Sequence, residues 1–350
     1  MIFCGDIALP FLDGVKIVGI PDVLRKKAWI GNLEGSLCSA QESQGALEKR
    51  EVFNDLEAIR NLCQELSFCG FGIANNHLQD VASVDTTLKN LRLLDKPCFG
   101  AGVDKESAKE PLVIEDYVIV AFGWEAINCI PATEQSEGVN AYTKYHVLTQ
   151  VKTLLNDYPD KKVVCFMHWN YELELYPQPL DRQLAHQLID IGVEAVIGCH
   201  AHRVQSIEMY KGHPVVYGLG NFAFRQHLYM DGKLKFPEFS NDEIAFEIDD
   251  SGSCVVHRLR YDSVLHTVTY VSSEAVQEAP FAGMTDKEYI QFFKRNRIQK
   301  KLLPVFYYGD SCYVSLVKIA YIKWRHRMIT ALVGNKVLFN SLKSLATKLS

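Results

Sequence analysis

Over roughly the first 270 residues, short apolar runs alternate with amphipathic stretches, the rhythm of an α/β protein. The apolar runs predict strands over 1–4, 29–31, 68–74, 117–122, 162–167, 195–198 and 215–218. Between them, apolar residues recur every three or four positions over 55–66, 84–94, 145–155 and 180–191, which predicts helices. Ser83 and Asp181 read as N-cap or first-turn residues, and Gly192 stands where a C-terminal glycine would end a helix. After Gly198 the period changes to that of β-hairpins. Segments 205–210 and 214–217 flank Lys211-Gly212, and 243–248 and 254–260 flank Asp249-Asp250-Ser251-Gly252. Residues 230–241 are polar and punctuated by Gly and Pro, and read as a long surface loop.

The chain has 350 residues, 48% hydrophobic and 23% charged, values that suit a globular enzyme and exclude a disordered or fibrous class. Ten cysteines are scattered singly with no C-x-x-C pair, which argues for a reducing compartment and a cytoplasmic location. The first residues show no basic, apolar and small-residue succession of a cleaved signal, and no run has the ~18–20 uncharged apolar residues of a membrane span.

Charge divides the chain in two. Residues 282–350 hold 13 Lys and Arg against 3 Asp and Glu, leaving 24 against 39 in residues 1–281. The expected organisation is an acidic α/β domain over 1–280 and a basic helical extension over 281–350.

Six polar clusters recur in order, most of them at the C-terminal end of an apolar run: Gly5-Asp6, Asn32-Leu33-Glu34, Asn75-Asn76-His77, His168-Trp169, His200-Ala201-His202 and Gly220-Asn221. In open α/β sheets that edge is where ligands bind. Taken singly, Asp6, Asn75 and Asn76 read as turn residues, Glu34 as a solvated loop carboxylate and His168 as a hydrogen-bonded core histidine. His200 and His202 carry more, because residues two apart in extended chain project to one side and can grip one ion or two adjacent ones. Together, one Asp, one Glu, an Asn amide and three imidazoles form an oxygen and nitrogen set suited to one or two divalent ions, Mn, Fe or Zn. His146, His186, His213, His227, His257, His266 and His326 lie in expected helices, hairpins or the tail and receive no role.

This ordered set resembles the CapA family, the capsule or poly-γ-glutamate synthesis (PGA_cap) proteins that share the calcineurin-like metallophosphatase fold. The matching pieces are Gly5-Asp6, Asn32-Leu33-Glu34, Ala74-Asn75-Asn76-His77 with Asp80 following, His168-Trp169 with Glu172, Gln183, Gly198 to Gln205, and Tyr217 to Phe222. The resemblance implies a layered α/β/β/α sandwich and a metal-dependent, phosphoesterase-type hydrolase acting in capsule or surface polysaccharide production. It places Asp6 and His202 on a first metal, Glu34 as a bridge, Asn76, His168 and His200 on a second, and His77 as the catalytic proton donor. Asn32, Asn75, Asp80, Glu172, Gln205 and Asn221 are expected to bind substrate or support the ligands. The implied substrate is a phosphorylated or polymeric saccharide, or a polyglutamate-like chain. Two alternatives stay open: an amide hydrolase or transferase on such a polymer, and a non-catalytic polymer-binding or scaffolding subunit.

The sequence departs from the wider pattern in three places. Asp6 is followed by Ile7-Ala8 where D-x-H is usual, so the first metal lacks an imidazole; His168-Trp169-Asn170 stands for H-W-G, and His200-Ala201-His202 for H-P-H. In the basic tail, Val317, Tyr321, Trp324 and Met328 recur at helical spacing among Lys318, Lys323, Arg325 and Arg327. The favoured expectation is a helix pair packed on the chain's own acidic domain. The second is attachment to an anionic membrane surface at the inner face. Nucleic acid is disfavoured, since no recognition motif accompanies the charge.

Overall fold

A computed structural model describes residues 1–11, 14–49, 51–249, 251–298 and 302–334, with side chains to residue 329. The end of the basic tail, 335–350, and Asp250 of the second hairpin turn lie outside the described residues.

Two sheets carry the fold. In the first, the strands run in the order Lys16–Val18, Thr267–Ala275, Cys254–Asp262, Asp242–Ile248, Ile2–Ala8, Trp29–Leu33, Phe68–Gly72 and Cys98–Phe99, and Asn221–Phe224 pairs with the end of Ile2–Ala8. In the second the order is Ile207–Tyr210, His213–Val216, Ala195–Cys199, Lys162–His168, Tyr117–Gly123 and Leu112–Ile114. The strands that precede the polar clusters pair in parallel, Ile2–Ala8 with Trp29–Leu33 and Lys162–His168 with Ala195–Cys199. Every residue of Ile2–Ala8 and of Tyr117–Gly123 is buried, as parallel strands require when both faces of a sheet are covered. Between the sheets, Phe3 of the first meets Phe166 of the second, ring centroids 6.1 Å apart. Helices cover the other faces, giving the expected layered α/β sandwich.

Helix ends follow the local chemistry. Asp55 caps Leu56–Glu65 by accepting the Glu57 and Ala58 N–H groups, Ser83 caps Val84–Leu93, and Thr143 caps Lys144–Asp157. Pro179 opens Pro179–Asp190, where its missing N–H costs nothing, so Asp181 falls in the first turn. The strand expected over 68–74 stops at Gly72, and the one expected over 215–218 is His213–Val216. Thr267–Ala275, which alternates half-buried and exposed positions next to the edge strand Lys16–Val18, escaped the sequence reading.

The extension is helical, as expected, but its two helices differ. Asp286–Asn296 has a Thr285–Glu288 capping box and buries Tyr289 and Phe293 in the main core, together with Phe281 and Phe306. Cys312–Gly334 leaves Tyr313, Val317, Tyr321, Trp324 and Met328 exposed, and only part of it packs on the domain. No helix among the described residues is long and apolar enough to cross a membrane.

Candidate metal centre

The parallel ladders determine which clusters meet. Asp6 lies opposite both Asn32 and Asn221, and His168 lies opposite Cys199, one residue before His200. The register of Ile2–Ala8 slips around Asp6 against both neighbours, a bulge that turns the carboxylate toward the edge of the sheet. Gly5 permits the close approach there, since a Cβ on it would sit 1.9 Å from the Gly220 carbonyl oxygen. Gly198 does the same on the second sheet, where a Cβ would lie 2.1 Å from the Tyr217 carbonyl oxygen.

Two triads result, and they share Glu34: Asp6, Glu34 and His202 offer one set of ligand atoms, and Glu34, His168 and His200 the other, each set lying within 4.8 Å of one another. All five residues are buried. Asn76 joins the second triad, its Oδ1 2.7 Å from Nε2 of His168. His200 and His202 both adopt positive φ, 87° and 48°, a left-handed backbone that costs a non-glycine residue of order 1–3 kcal/mol and persists where surrounding structure compels it. Asn170 shares this geometry at φ 66°, which explains why Asn, tolerant of that region, stands where the wider pattern has Gly.

The supporting residues are hydrogen-bonded to the triads. Asn32 donates from Nδ2 to Asp6 Oδ1 at 2.8 Å and lies 3.3 Å from Nδ1 of His168, linking the two sets. Asn221 Oδ1 is 2.9 Å from His202 Nδ1, and the His200 backbone N–H donates to Asp6 Oδ2 at 3.1 Å. The Asn75 amide binds the backbone of Leu33, Gly35 and His77 and so braces the loops on either side. His77 Nδ1 is 2.6 Å from Asp80 Oδ2, and its Nε2 lies 3.9 Å from Glu34 Oε1. Two expected helpers sit apart. Gln205 donates to the Glu174 carbonyl and holds the loop after His168, while Glu172 is exposed and its charge acts on Glu34.

The electrostatics decide what the crevice lacks. Among the described residues, both oxygens of Glu34 are buried without a hydrogen bond, and ring nitrogens of His202 and His77 lie 3.6 and 3.9 Å from Oε1. Burial pushes its carboxyl well above the usual range, and the charges of Asp6, Glu172 and Asp80 push the same way. Burial also raises Asp6, opposed by His202 and by hydrogen bonds from Asn32, His200 and Cys199. His168 is driven well below its ordinary range by burial and then by His200, His202 and His77, so its imidazole is neutral, the form that ligates a metal. A buried carboxyl group with two unanswered oxygens, set among the His168, His200 and His202 rings, fits a divalent cation, or two that share it.

Three contributors were not legible in sequence. The Cys199 thiol hydrogen-bonds Asp6, and Asn54 donates to the Glu34 carbonyl at 2.8 Å while accepting the Leu9 N–H at 2.9 Å. Phe236, in the loop read as surface, stacks on His202 with centroids 4.5 Å apart, although half of that loop is exposed. A Cys in an apolar run, an Asn in a loop and a Phe among polar residues carry no periodic signal.

Residues 20–226, more than half of the chain, match the family described as bacterial capsule synthesis protein PGA_cap; the span contains the proposed ligands other than Asp6. The Capsule biosynthesis protein CapA of Bacillus anthracis is 28% identical over 173 residues, 47% of this chain and 42% of that protein. The PGA biosynthesis protein CapA of Bacillus subtilis (strain 168) is 26% identical over 203 residues, 56% of this chain and 53% of that one. A probable polyglutamine synthesis accessory protein of Mycobacterium tuberculosis is 34% identical over 70 residues, 20% of this chain and 18% of its own length. The matches thus span about half the length of the two CapA relatives. On the strength of the matched family and the ordered clusters it contains, this chain belongs to the bacterial capsule synthesis protein family PGA_cap.

Proposed function

We propose that this protein is a metal-dependent hydrolase of the phosphoesterase type, acting on a phosphorylated or polymeric intermediate of capsule or surface-polymer synthesis. The observation that carries this reading is Glu34, buried and shared by two triads with neither oxygen hydrogen-bonded among the described residues. The capsule setting is supported by the family and by the names of its relatives.

Asp6 and His202 would hold one ion, Asn76, His168 and His200 the other, with Glu34 between them. Such a pair supplies positive charge that activates a water and offsets charge growing on a phosphoryl oxygen. The chain's own contribution is orientation. Asn32 fixes Asp6 and His168 together, Asn221 fixes the His202 ring, and Cys199 and the His200 N–H hold the Asp6 carboxylate in place. His77 sits at the mouth of the crevice, half-buried, with Nδ1 held by Asp80 and Nε2 facing Glu34. That ring is placed to give a proton to the departing oxygen. Phe236 over His202 keeps water off one side of the cluster.

A non-catalytic accessory role is the second reading. It is favoured by the Asp6-Ile7-Ala8 sequence, which leaves the first triad without the usual additional imidazole, and by the accessory title of the mycobacterial relative. Elemental analysis of the purified protein with an aryl phosphoester assay separates the two. Bound Mn, Fe or Zn near two equivalents, turnover lost on chelation, and loss of both in His168→Ala are the expected results. A metal-free protein without turnover, or His168→Ala as active as the parent, would defeat the hydrolase reading. Turnover of a polyglutamate amide with none of the phosphoester would keep the site and replace the substrate.

A further inference from the structure

The Cys312–Gly334 helix divides its circumference into three zones. Ile319 and Ile322 pack against the main core, and Lys323 ties the helix to Glu125 at 2.8 Å while Lys318 donates to the Val305 carbonyl and to Asp310. On the far side, Tyr313, Val317, Tyr321, Trp324 and Met328 are spaced by four, four, three and four residues and so share one stripe of an α-helix. They are 76%, 52%, 41%, 58% and 44% exposed. At 3.6 residues per turn, Lys318 and Arg325 fall along one border of that stripe and Lys323 and Arg327 along the other. From Ser311 to Ser350 the sequence has seven Lys and Arg and no Asp or Glu.

An apolar strip with a Trp and two Tyr, edged on both sides by cations, suits a surface whose apolar interior begins just beneath a plane of negative charge. A bilayer with anionic headgroups is such a surface: the strip enters the acyl boundary, and Arg325 on one border and Arg327 on the other reach phosphates, while Lys318 and Lys323 hold the helix to the domain. The chain's own acidic domain does not offer this, since its exposed apolar side chains, such as Leu93, Val113 and Ile130, come from separate elements. We propose that the Cys312–Gly334 helix lies lengthwise on an anionic lipid surface and docks the domain there. The helix is anchored at Glu125, next to Trp124, whose N–H donates to the carbonyl of His168. Docking therefore sets the membrane beside the edge of the second sheet that carries His168. The proposal does not depend on metal or turnover.

Trp324 makes the test direct. Of the four tryptophans, Trp29, Trp124 and Trp169 are buried, so a solvent-dependent change in emission reports Trp324. The full chain is mixed with vesicles of equimolar phosphatidylglycerol and phosphatidylcholine, or of phosphatidylcholine alone, and followed by emission and co-sedimentation. A blue shift and sedimentation with the anionic vesicles alone are expected. Binding should weaken as salt rises from about 0.1 M to about 1 M and the screening length shrinks from ~10 Å to ~3 Å. Arg325→Glu with Arg327→Glu should lower the partition about thirtyfold, from ~1 kcal/mol per cation, while His168→Ala should bind as the parent does. An unshifted Trp324 and no sedimentation with anionic vesicles would overturn the proposal. So would a dimer in light scattering that Trp324→Glu splits, because the strip would then belong to a second copy.

Discussion

Two glutamates at the carboxyl ends and flanks of these sheets are equally hidden from water and opposite in every other respect. Glu208 accepts from Arg182 Nη2 at 2.7 Å and Nε at 3.1 Å and from the Tyr217 hydroxyl at 2.7 Å, with His186 Nε2 at 3.0 Å. Burial alone would raise its carboxyl, but these partners outweigh burial and bring it down to about 2. Glu34 has no such partners, and its neighbours Asp6, Glu172 and Asp80 add repulsion to burial. The first is a completed structural ion pair. The second is half of one, its cation not supplied by any described side chain. Burial of a carboxylate therefore says little about function until its partners are counted, and an unanswered one is the stronger mark of a ligand site.

The contrast can be broken most forcefully at Glu208. Glu208→Ala leaves the Arg182 guanidinium, 1% exposed, with only the Met284 carbonyl and Asp286 at 3.7 Å among the described residues, and should cost about 3 kcal/mol in urea unfolding while leaving bound metal per folded protein unchanged. Metal loss in that variant would show that the two regions are one unit.

Acid offers a graded version. The folded pKa of Glu208 lies below its ordinary 4.5, so its contribution is present above pH 4.5 and is lost as pH falls toward about 2. The shift corresponds to about 3 kcal/mol. Urea midpoints across that window should fall in the parent protein and fall much less in Glu208→Gln.

Glu34→Gln should act in the reverse sense. Apparent metal affinity should drop more than about 100-fold, beyond the ~10–100-fold that outer partners of ligands contribute, while the chelated protein should unfold at an equal or higher temperature because a buried carboxyl held above its usual range, repelled by Asp6, is replaced by a neutral amide. A chelated Glu34→Gln protein markedly less stable than the chelated parent would mean that Glu34 is paired after all, like Glu208.

Much of the fold was legible because strands and helices leave periods of two and 3.6 in the chain: the seven strands and four helices of the reading all exist, with ends moved by a few residues. The tail illustrates the limit. Spacing alone marked Val317, Tyr321, Trp324 and Met328 as one face, but the same spacing serves a buried face or an open one, and only the packing of Ile319 and Ile322 shows which side is covered. Likewise Gln205 and Glu172 sit near ligands in sequence yet turn to the Glu174 carbonyl and to solvent.

By itself the sequence determined the donor types, their order and their place at strand ends, since those follow from residue identity and local period. Tertiary structure decided that Glu34 is shared by two triads, that Asn32 links them, and that Cys199 and Asn54 hold Asp6 and the Glu34 backbone. The reason is register: which side chains from residues 6, 34, 168 and 200 meet depends on hydrogen-bonded ladders and sheet stacking across more than a hundred residues, and no local preference encodes that offset.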